Sequence, residues 1–348
     1  MSKYYWLIVV VAMLWSGAFP VEAQIPYRIM QYNVENLFDT LNHETHLDDD
    51  FTPTGSQKWH ARRYWFKQGR LARVIAAAGG TTPVDIVGMV EVENDSVLHD
   101  LLRRTSLARL GYEYYITHGA DVRGIQVALL YQPARFNPFR VVEIAIPPLP
   151  DVSPTRHVLL AEGILPTADT LSVFVCHFPS KRGGAKKTEP YRMHAAKRVR
   201  QSVDSIYTYR PNAMVVVMGD FNGTKESVSL SKGLRVNSEE TPLNQPSLVE
   251  VQYTPTPNSE IEGTYFFQGK WEFIDHIFTS SNMLLDASLR INKKGYRILD
   301  IPFLLEKRKS QEDKYLIPKR TYKGTFYNGG VSDHLPLILH LDLFFNTP

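Results

Sequence analysis

Short apolar stretches rich in β-branched and aromatic residues recur along the chain, and each of them predicts a β-strand. They are residues 27–32, 84–90, 127–131, 158–164, 171–177, 213–219, 273–279 and 335–341. Most are continuously hydrophobic, whereas a strand with one face in water alternates apolar and polar residues. We therefore expect strands that are buried on both faces, as in a sheet covered by a second sheet and by helices.

Helical spacing of apolar residues occurs between these strands, at residues 57–78, 95–110 and 188–207. The first of these segments ends at Gly79-Gly80, a common helix stop. Long surface loops are predicted where Pro, Gly and charged residues are frequent, at residues 40–56, 225–259 and 293–330. No internal repeat or clear linker divides the chain. We predict one α+β domain over residues 24–348, with two packed, mainly antiparallel β-sheets flanked by helices.

The first 23 residues have the pattern of a signal peptide. Lys3 provides a positive start, residues 4–15 are nearly all apolar, and Val21-Glu22-Ala23 is a small-x-small cleavage signal. The alternative, an uncleaved membrane anchor, needs about 20 apolar residues, more than this segment has. We predict cleavage before Gln24 and an exported protein, periplasmic or extracellular, that has no membrane span after cleavage.

Composition and charge narrow the function only slightly. The 348 residues are 43 % hydrophobic and 22 % charged, which is ordinary for a soluble protein. A formal charge of +3 does not mark a nucleic-acid binder, so any attraction to polyanions must be local. Cys176 is the single cysteine and lies in an apolar strand, so we predict a buried packing residue, and an intramolecular disulfide is excluded.

Polar residues follow the apolar stretches abruptly. The polar runs are Asn33-Val34-Glu35-Asn36, Glu91-Val92-Glu93-Asn94, His177, Asp220-Phe221-Asn222, Asp275-His276 and Ser332-Asp333-His334. Taken singly, a Glu or Asn after a strand is more often a turn or cap residue than a ligand, and a lone His is more often a hydrogen-bonded structural residue. If they converge, their carboxylates repel one another unless a cation neutralises them.

A hard divalent cation suits such a set of oxygen ligands, and Mg²⁺ or Mn²⁺ is predicted, with Ca²⁺ as an alternative. Glu91 and Asp333 are the first candidates for its ligands. Zinc is less suited, because the chain offers no thiolate pair and no His-x-x-x-His spacing.

Taken in order, these motifs resemble the endonuclease/exonuclease/phosphatase superfamily. The resemblance rests on Asn33, Glu91, His177, Gly219-Asp220-Phe221-Asn222, Asp275 and Ser332-Asp333-His334. It covers essentially the whole chain after residue 23. It implies a four-layer α/β sandwich and metal-dependent hydrolysis of phosphate esters, with Glu91 holding the metal and Asn33 and Asp333 contributing directly or through water.

The resemblance also implies catalytic roles. Asp220 and Asn222 would position the attacking water and the phosphate, and His334, oriented by Asp275, would act as general base or polarise the phosphate. His177 falls where deoxyribonuclease-like and sphingomyelinase-like members have a histidine that binds phosphate or protonates the leaving oxygen. Asp220 and His334 both remain candidates for the group that removes the water proton.

Basic residues near these motifs are candidates for substrate binding. Lys181 and Arg182 lie shortly after His177, beside two glycines that permit close backbone approach. Arg123 is a second candidate anion binder, with a turn residue as the alternative reading. The basic and aromatic residues of 293–323 are either a nucleic-acid groove or a solubilising surface.

The leading prediction is an exported phosphodiesterase, most specifically a nuclease, whose partner is nucleic acid or another phosphodiester substrate. A phosphatase or phospholipase-type esterase acting on inositol phosphates or sphingomyelin is the second reading, because one fold can host all these activities. The third is an inactive binding module, which the intact set of site residues disfavours. No obligate protein partner is indicated.

Overall fold

Two large β-sheets lie face to face in this computed structural model, which describes residues 24–150, 152–238, 247–257, 259–309 and 314–345. The predicted signal peptide therefore lies outside the described residues. We call the two sheets sheet A and sheet B.

The strands of sheet A are β1 (Gln24–Leu37), β2 (Ile86–Val92), β3 (Glu113–Ile116), β4 (Gln126–Tyr131), β14 (Leu289–Ile298) and β19 (Leu337–Phe344). Those of sheet B are β5 (Asn137–Ile144), β6 (Val158–Ile164), β7 (Thr170–His177), β8 (Met214–Asp220), β9 (Asn237–Ser238), β10 (Leu248–Glu250) and β13 (Asp275–Ser280). The strand order is β14-β19-β1-β2-β4-β3 in sheet A and β5-β6-β7-β8-β13-β10-β9 in sheet B. The pairs β1-β2, β7-β8 and β9-β10 are parallel, and the other pairs are antiparallel.

Helices cover the outer faces of the two sheets and complete the four-layer sandwich. They are α1 (Ala61–Gly79), α2 (Asp95–Arg103) and α3 (Ala185–Tyr209). One hydrophobic core joins the two sheets with α1 and α2, and a second core joins sheet B with α3. None of the helices in the described ranges combines the length and hydropathy that crossing a membrane requires.

Strand β7 explains why the apolar stretches are continuous. Leu171, Val173 and Val175 belong to the core that contains both sheets, whereas Phe174 and Cys176 belong to the core under α3. Alternate residues of a strand face opposite sides, and here both sides are dry. The predictions of doubly buried strands and of a buried Cys176 are confirmed.

The helix predictions are confirmed in number and differ at their ends. The first helix begins at Ala61 rather than at residue 57, because Lys58 has a left-handed φ of 48° and His60 is extended. It ends at Gly79, before Gly80 with φ 66°. The second helix, predicted to extend to residue 110, ends at Arg103, and a separate 3-10 turn follows at Ser106–Arg109.

The prediction of a long loop over residues 293–330 is wrong. This segment contains the end of β14 and two hairpins, β15-β16 (Leu305–Lys309 and Lys314–Pro318) and β17-β18 (Tyr322–Lys323 and Phe326–Tyr327). Small ribbons outside the main sheets have few buried positions, so their charged residues give no apolar pattern. Strands β9 and β10 likewise interrupt the predicted loop 225–259, and another hairpin pairs β11 (Tyr265–Phe267) with β12 (Lys270–Glu272).

Candidate active site

The predicted catalytic residues meet at one end of the two sheets, which we call the mouth. Strands β1, β2, β7 and β8 end there, and β13 and β19, which run antiparallel to their neighbours, begin there. The topology therefore brings together residues that are up to 301 positions apart in sequence, such as Asn33 and His334. The members of this group are Asn33, Glu91, His177, Asp220, Asp275 and His334.

His334 and Asp275 form a buried pair. The Nδ1 atom of His334 lies 2.7 Å from Oδ2 of Asp275, and the imidazole stacks on the ring of Tyr265 at 4.7 Å. Burial alone would disfavour the charged imidazole, but the Asp275 carboxylate outweighs it and raises the pKa of His334 well above its ordinary value. The pair therefore fixes the ring and leaves its Nε2 facing the mouth.

Asp220 lies between two imidazoles. Its Oδ2 atom is 3.7 Å from Nε2 of His177 and 3.9 Å from Nε2 of His334, and it accepts a hydrogen bond from Asn33 Nδ2 at 3.0 Å. Its Oδ1 accepts from the backbone N of Asn222 at 2.8 Å. Burial raises the pKa of Asp220 to about 7. A carboxylate of this kind can accept a proton near neutral pH.

His177 has the opposite electrostatic environment to His334. It is buried, and its Nδ1 has no hydrogen-bond partner among the described residues. Burial, followed by the positive charges of Arg156 and Arg123, holds its pKa well below its ordinary value. The mouth thus contains one imidazole that favours the charged form and one that favours the neutral form.

Glu91 is held in a conformation that is rare for a residue with a side chain, with φ 67°. Its Oε2 accepts from the backbone N of Asn36 at 2.9 Å, and its Oε1 lies 3.4 Å from Asn33 Nδ2. No Lys or Arg of the described ranges lies within ion-pair distance of it, and the nearest imidazole nitrogen, of His177, is 3.9 Å away. Glu91 is therefore a carboxylate in the mouth without a fixed positive partner.

A family model described as the endonuclease/exonuclease/phosphatase family matches residues 28–343. The chain belongs to this family. Enzymes of the endonuclease/exonuclease/phosphatase family are hydrolases of phosphate esters that depend on divalent metal ions. The superfamily and the sandwich fold predicted from the sequence are thus confirmed.

Solved structures of family proteins share the fold of this chain at low sequence identity. One from Bacteroides vulgatus is 15 % identical, with 92 % of this chain and 99 % of that chain covered and a TM-score of 0.56. A mannosyl-6-phosphatase from Bacteroides thetaiotaomicron is 17 % identical, with 90 % and 99 % covered and a TM-score of 0.52. The human Nocturnin catalytic domain with bound sulfate is 16 % identical, with 93 % and 97 % covered and a TM-score of 0.52. No curated protein matches the chain.

The residues of the mouth fit the metal ion on which family enzymes depend. Two donor sets are present: the predicted set around Glu91, and the group of Asp220, Asp275 and His334, whose ligand atoms lie within 4.8 Å of one another. In the second set, Nδ1 of His334 is already bonded to Asp275. We favour Glu91, because its carboxylate has no Lys or Arg partner in the described ranges and is an oxygen ligand of the kind that hard cations prefer.

Asp333 lies in a network with three residues whose positions the sequence did not reveal. Its Oδ2 is 2.8 Å from Nη2 of Arg320, whose Nε lies 3.4 Å from Oε1 of Glu35. Lys67 of α1 is also buried, and its Nζ donates to the Glu35 carbonyl oxygen. Glu35 belongs to the polar run at the end of β1 and Arg320 to the basic segment 293–323, so both had a weak signal, whereas Lys67 had none beyond helical spacing.

The predicted substrate-binding residues are placed differently from one another. Arg123 is partly exposed and close enough to His177 to depress its pKa, so it belongs to the mouth. Lys181 pairs with Glu272 of the β11-β12 hairpin rather than standing free. Arg182 is exposed, and its side chain makes no ion pair within the described ranges.

Two further residues hold the site in place. Asn222, with a left-handed φ of 48°, donates from Nδ2 to the Phe178 carbonyl oxygen at 3.1 Å, so its amide ties β8 to the end of β7. Arg156, which the sequence reasoning missed, donates to the same carbonyl at 3.0 Å and pairs with buried Asp121 at 3.1 Å.

Proposed function

We propose that this family member is a divalent-metal-dependent phosphodiesterase that hydrolyses nucleic acid. The observation that carries the proposal is the pair of buried imidazoles, His177 and His334, on either side of the Asp220 carboxylate at 3.7 and 3.9 Å. A phosphodiester repels nucleophiles by its own charge, so its hydrolysis needs a proton acceptor for water, a proton donor for the leaving oxygen and stabilisation of the developing charge.

The proton steps are assigned to residues with suitable pKa directions. Asp220, whose pKa is raised to about 7 by burial, accepts the proton of the attacking water through Oδ2. His334, kept charged by Asp275, presents an N–H at Nε2 that binds a phosphate oxygen and protonates the leaving oxygen. His177 remains neutral and donates a hydrogen bond from Nε2 to the phosphate.

Glu91, with Asn33 and Asp333, would hold a divalent cation, which supplies a Lewis acid for the charge that develops on the phosphate. We propose Mg²⁺ or Mn²⁺ for this ion. Asn33 also donates to Asp220 at 3.0 Å, so one amide links the metal ligand and the proton acceptor.

Nucleic acid is proposed as the substrate because positive side chains accompany the mouth. Arg123 and Arg320 are partly exposed there, and Arg182 is exposed on the segment that follows His177. Guanidinium groups bind phosphates through two parallel hydrogen bonds, so these arginines could bind the phosphates of the nucleotides next to the scissile one. Export of a single catalytic domain, residues 24–348, to the periplasm or outside the cell completes the proposal and is supported by the signal-peptide pattern.

A sugar phosphatase is the second candidate function. It is supported by the similarity in fold to the mannosyl-6-phosphatase. A phosphate monoester carries one more ionisable oxygen than a diester, so the same residues would act on a substrate with greater negative charge.

The test is a substrate panel with the protein in Mg²⁺, Mn²⁺ or Ca²⁺, containing plasmid DNA, RNA, sphingomyelin, inositol phosphates and mannose 6-phosphate. We expect cleavage of nucleic acid that a chelator and His334→Ala both abolish. Hydrolysis of mannose 6-phosphate or inositol phosphates with intact nucleic acid would replace the proposal by the phosphatase. Turnover that neither a chelator nor His334→Ala reduces would contradict the mechanism.

A further inference from the structure

Two consecutive residues of β13, Asp275 and His276, face opposite sides of sheet B. Asp275 faces the mouth, where its Oδ2 lies 2.7 Å from Nδ1 of His334. His276 faces the core under α3, where its ring stacks on Phe278 at 5.0 Å and meets the edge of the Phe221 ring at 5.9 Å. The histidine is 1 % exposed and takes no part in the proton steps of the proposed mechanism.

The hydrogen bond of His276 goes to the backbone of a catalytic turn. Its Nε2 lies 3.0 Å from the carbonyl oxygen of Gly223, the residue that follows Asn222. A carbonyl oxygen can only accept, so Nε2 carries a hydrogen in the neutral ring as well as in the charged one. On the other side of the ring, Nδ1 lies 3.3 Å from Oε1 of Glu250. His276 is therefore an N–H donor to Gly223.

The turn that receives this hydrogen bond carries Asp220 and Asn222. Oδ1 of Asp220 accepts from the backbone N of Asn222 at 2.8 Å, and Oδ2 faces the two imidazoles of the mouth. Asn222 has a left-handed φ of 48°, a conformation that surrounding contacts must maintain. The side-chain amide of Asn222 bonds to the Phe178 carbonyl oxygen, and His276 bonds to the carbonyl oxygen of Gly223. The turn is thus held on both sides of Asn222.

We propose that His276 is a positioning residue, because its Nε2–H bond to Gly223 fixes the turn that carries Asp220. Strand β13 then holds both halves of the site: Asp275 orients His334 on one face, and the next residue holds the turn from the other face. Since His276 lies in the core under α3, it acts through the turn and not on the substrate. The inference rests on the proposed function for its effect on cleavage, but not for the position of the turn.

Three substitutions of His276 separate the hydrogen bond from the packing of the ring. His276→Gln places an amide nitrogen as many bonds from Cβ as Nε2 is in histidine, so it can still donate to Gly223. His276→Asn places the same amide one bond short, at the position of Nδ1. His276→Phe keeps the ring that stacks on Phe278 and has no donor. The control His194→Phe removes a similar contact on α3, where Nε2 of His194 lies 3.0 Å from the Pro147 carbonyl oxygen.

Two readouts are compared in all five proteins, and thermal unfolding shows which variants fold. The first is backbone hydrogen exchange of peptides that contain residues 220–223, measured by mass spectrometry without metal. We expect exchange about tenfold faster than wild type in His276→Phe and His276→Asn, because the turn opens more easily without the bond. His276→Gln and His194→Phe should exchange at the wild-type rate.

The second readout is kcat and KM for nucleic-acid cleavage. We expect kcat to fall by about 10- to 100-fold in His276→Phe and His276→Asn, because a misplaced Asp220 carboxylate no longer meets the attacking water. KM should change little, since the arginines that bind the phosphates do not depend on this turn. His276→Gln should retain most of the wild-type kcat, and His194→Phe all of it.

A purely structural role of the ring predicts the reverse order. Wild-type exchange and kcat in His276→Phe, with losses in His276→Gln, would overturn the inference. Equal results for His276→Gln and His276→Asn would overturn it as well, and this comparison decides the question if His276→Phe does not fold. Equal losses in His194→Phe and His276→Phe would show that the contact with Gly223 has no special role.

The outcome is separable from that of the proposed function. If wild type cleaves no nucleic acid, the proposed function fails, and the exchange rates still test the inference. Faster exchange in His276→Asn than in His276→Gln would then leave the positioning role standing. Equal exchange in all five proteins, beside nucleic-acid cleavage by wild type, would do the reverse.

Discussion

The two ends of sheet A differ in the charged groups that surround a histidine at each end. At the mouth, the residues around the ends of β1 and β2 are carboxylates, among them Glu35 and Glu91. At the other end, a cavity of about 1090 Å³ is lined by Arg28, Arg135 and Lys294 together with Asp85 and Asp342. Both ends belong to the same paired strands with the same buried faces. The difference in charged groups therefore comes from the side chains at the two ends of each strand.

One histidine at each end shows what this difference does. Burial disfavours the charged form of both, yet the Asp275 carboxylate raises the pKa of His334 well above its usual range. His340 lacks such a partner, and burial together with Lys294 and Arg28 lowers its pKa to about 4. Burial lowers the pKa of both histidines, so the Asp275 carboxylate beside His334 makes the difference in which one can serve as a charged group at neutral pH.

The largest expected effect on the cleavage rate comes from mutating His334, and the same change at His340 is the control. His334→Ala should lower the rate of nucleic-acid cleavage by about 10²–10⁴-fold, the usual contribution of an acid–base group. The matched control, His340→Ala, removes an imidazole at the opposite end and should leave kcat unchanged. Initial rates on plasmid DNA measure both, and equal losses in the two variants would mean that the mouth is not the active site.

Asp275→Asn should have the next largest effect, a loss of about 10²-fold or more. The amide no longer stabilises the imidazolium or fixes its tautomer. The pKa of His334 then falls. As the pH rises, the variant therefore loses the charged imidazole that binds phosphate at a lower pH than wild type does. The profile of kcat against pH should therefore have its alkaline limb shifted downwards. An unshifted limb would show that the Asp275 contact does not set the charge of His334.

The buried ion pair beside the mouth gives a stability prediction. Arg156→Met removes the closer guanidinium partner of the buried Asp121 carboxylate and leaves only the partly exposed Arg123 at 3.8 Å, and the side chains of Arg156 and Asp121 are both less than one-tenth exposed. We expect a loss of about 3–5 kcal/mol in the free energy of unfolding. Arg103→Met breaks a half-exposed pair with Glu113 and should cost about 0–1 kcal/mol. Urea unfolding measures both, and equal losses would refute the difference.

The smallest expected effect concerns His340 and acid. Its folded pKa of about 4 lies below the ordinary value of 6.5, so the unfolded chain binds the extra proton first as the pH falls. Stability should decline from about pH 6.5 towards pH 4 through this group. His340→Gln should therefore show a smaller fall in Tm between pH 7.5 and 4.5 than wild type. An identical fall would mean that His340 titrates alike in both states.

Most of the sandwich could be predicted from the sequence because its strands are buried on both faces and read as continuous apolar runs. The convergence of Asn33, Glu91 and His334 followed from the polar residues at the ends of those strands. The same reasoning failed for residues 305–327, whose hairpins are charged and lie outside the main sheets.

The ion pairs of the site were beyond sequence reasoning. Arg320 reaches Glu35 across 285 positions, and only the placement of an unpredicted hairpin region brings them together. Lys67 lies on a helix where a lysine ordinarily points to water. Lys181 read as a free phosphate-binding group, yet it pairs with Glu272 on a hairpin that was not predicted as such. Charge pairing depends on tertiary position, which periodicity does not encode.

The most direct test of the account is an NMR titration of the imidazole nitrogens in the metal-free protein, with His334→Ala and His340→Ala used to assign the two signals. The account predicts that His334 remains protonated at pH 7 while His340 is neutral there and gains its proton only towards pH 4. Titration of His334 near pH 6.5, together with His340, would contradict it.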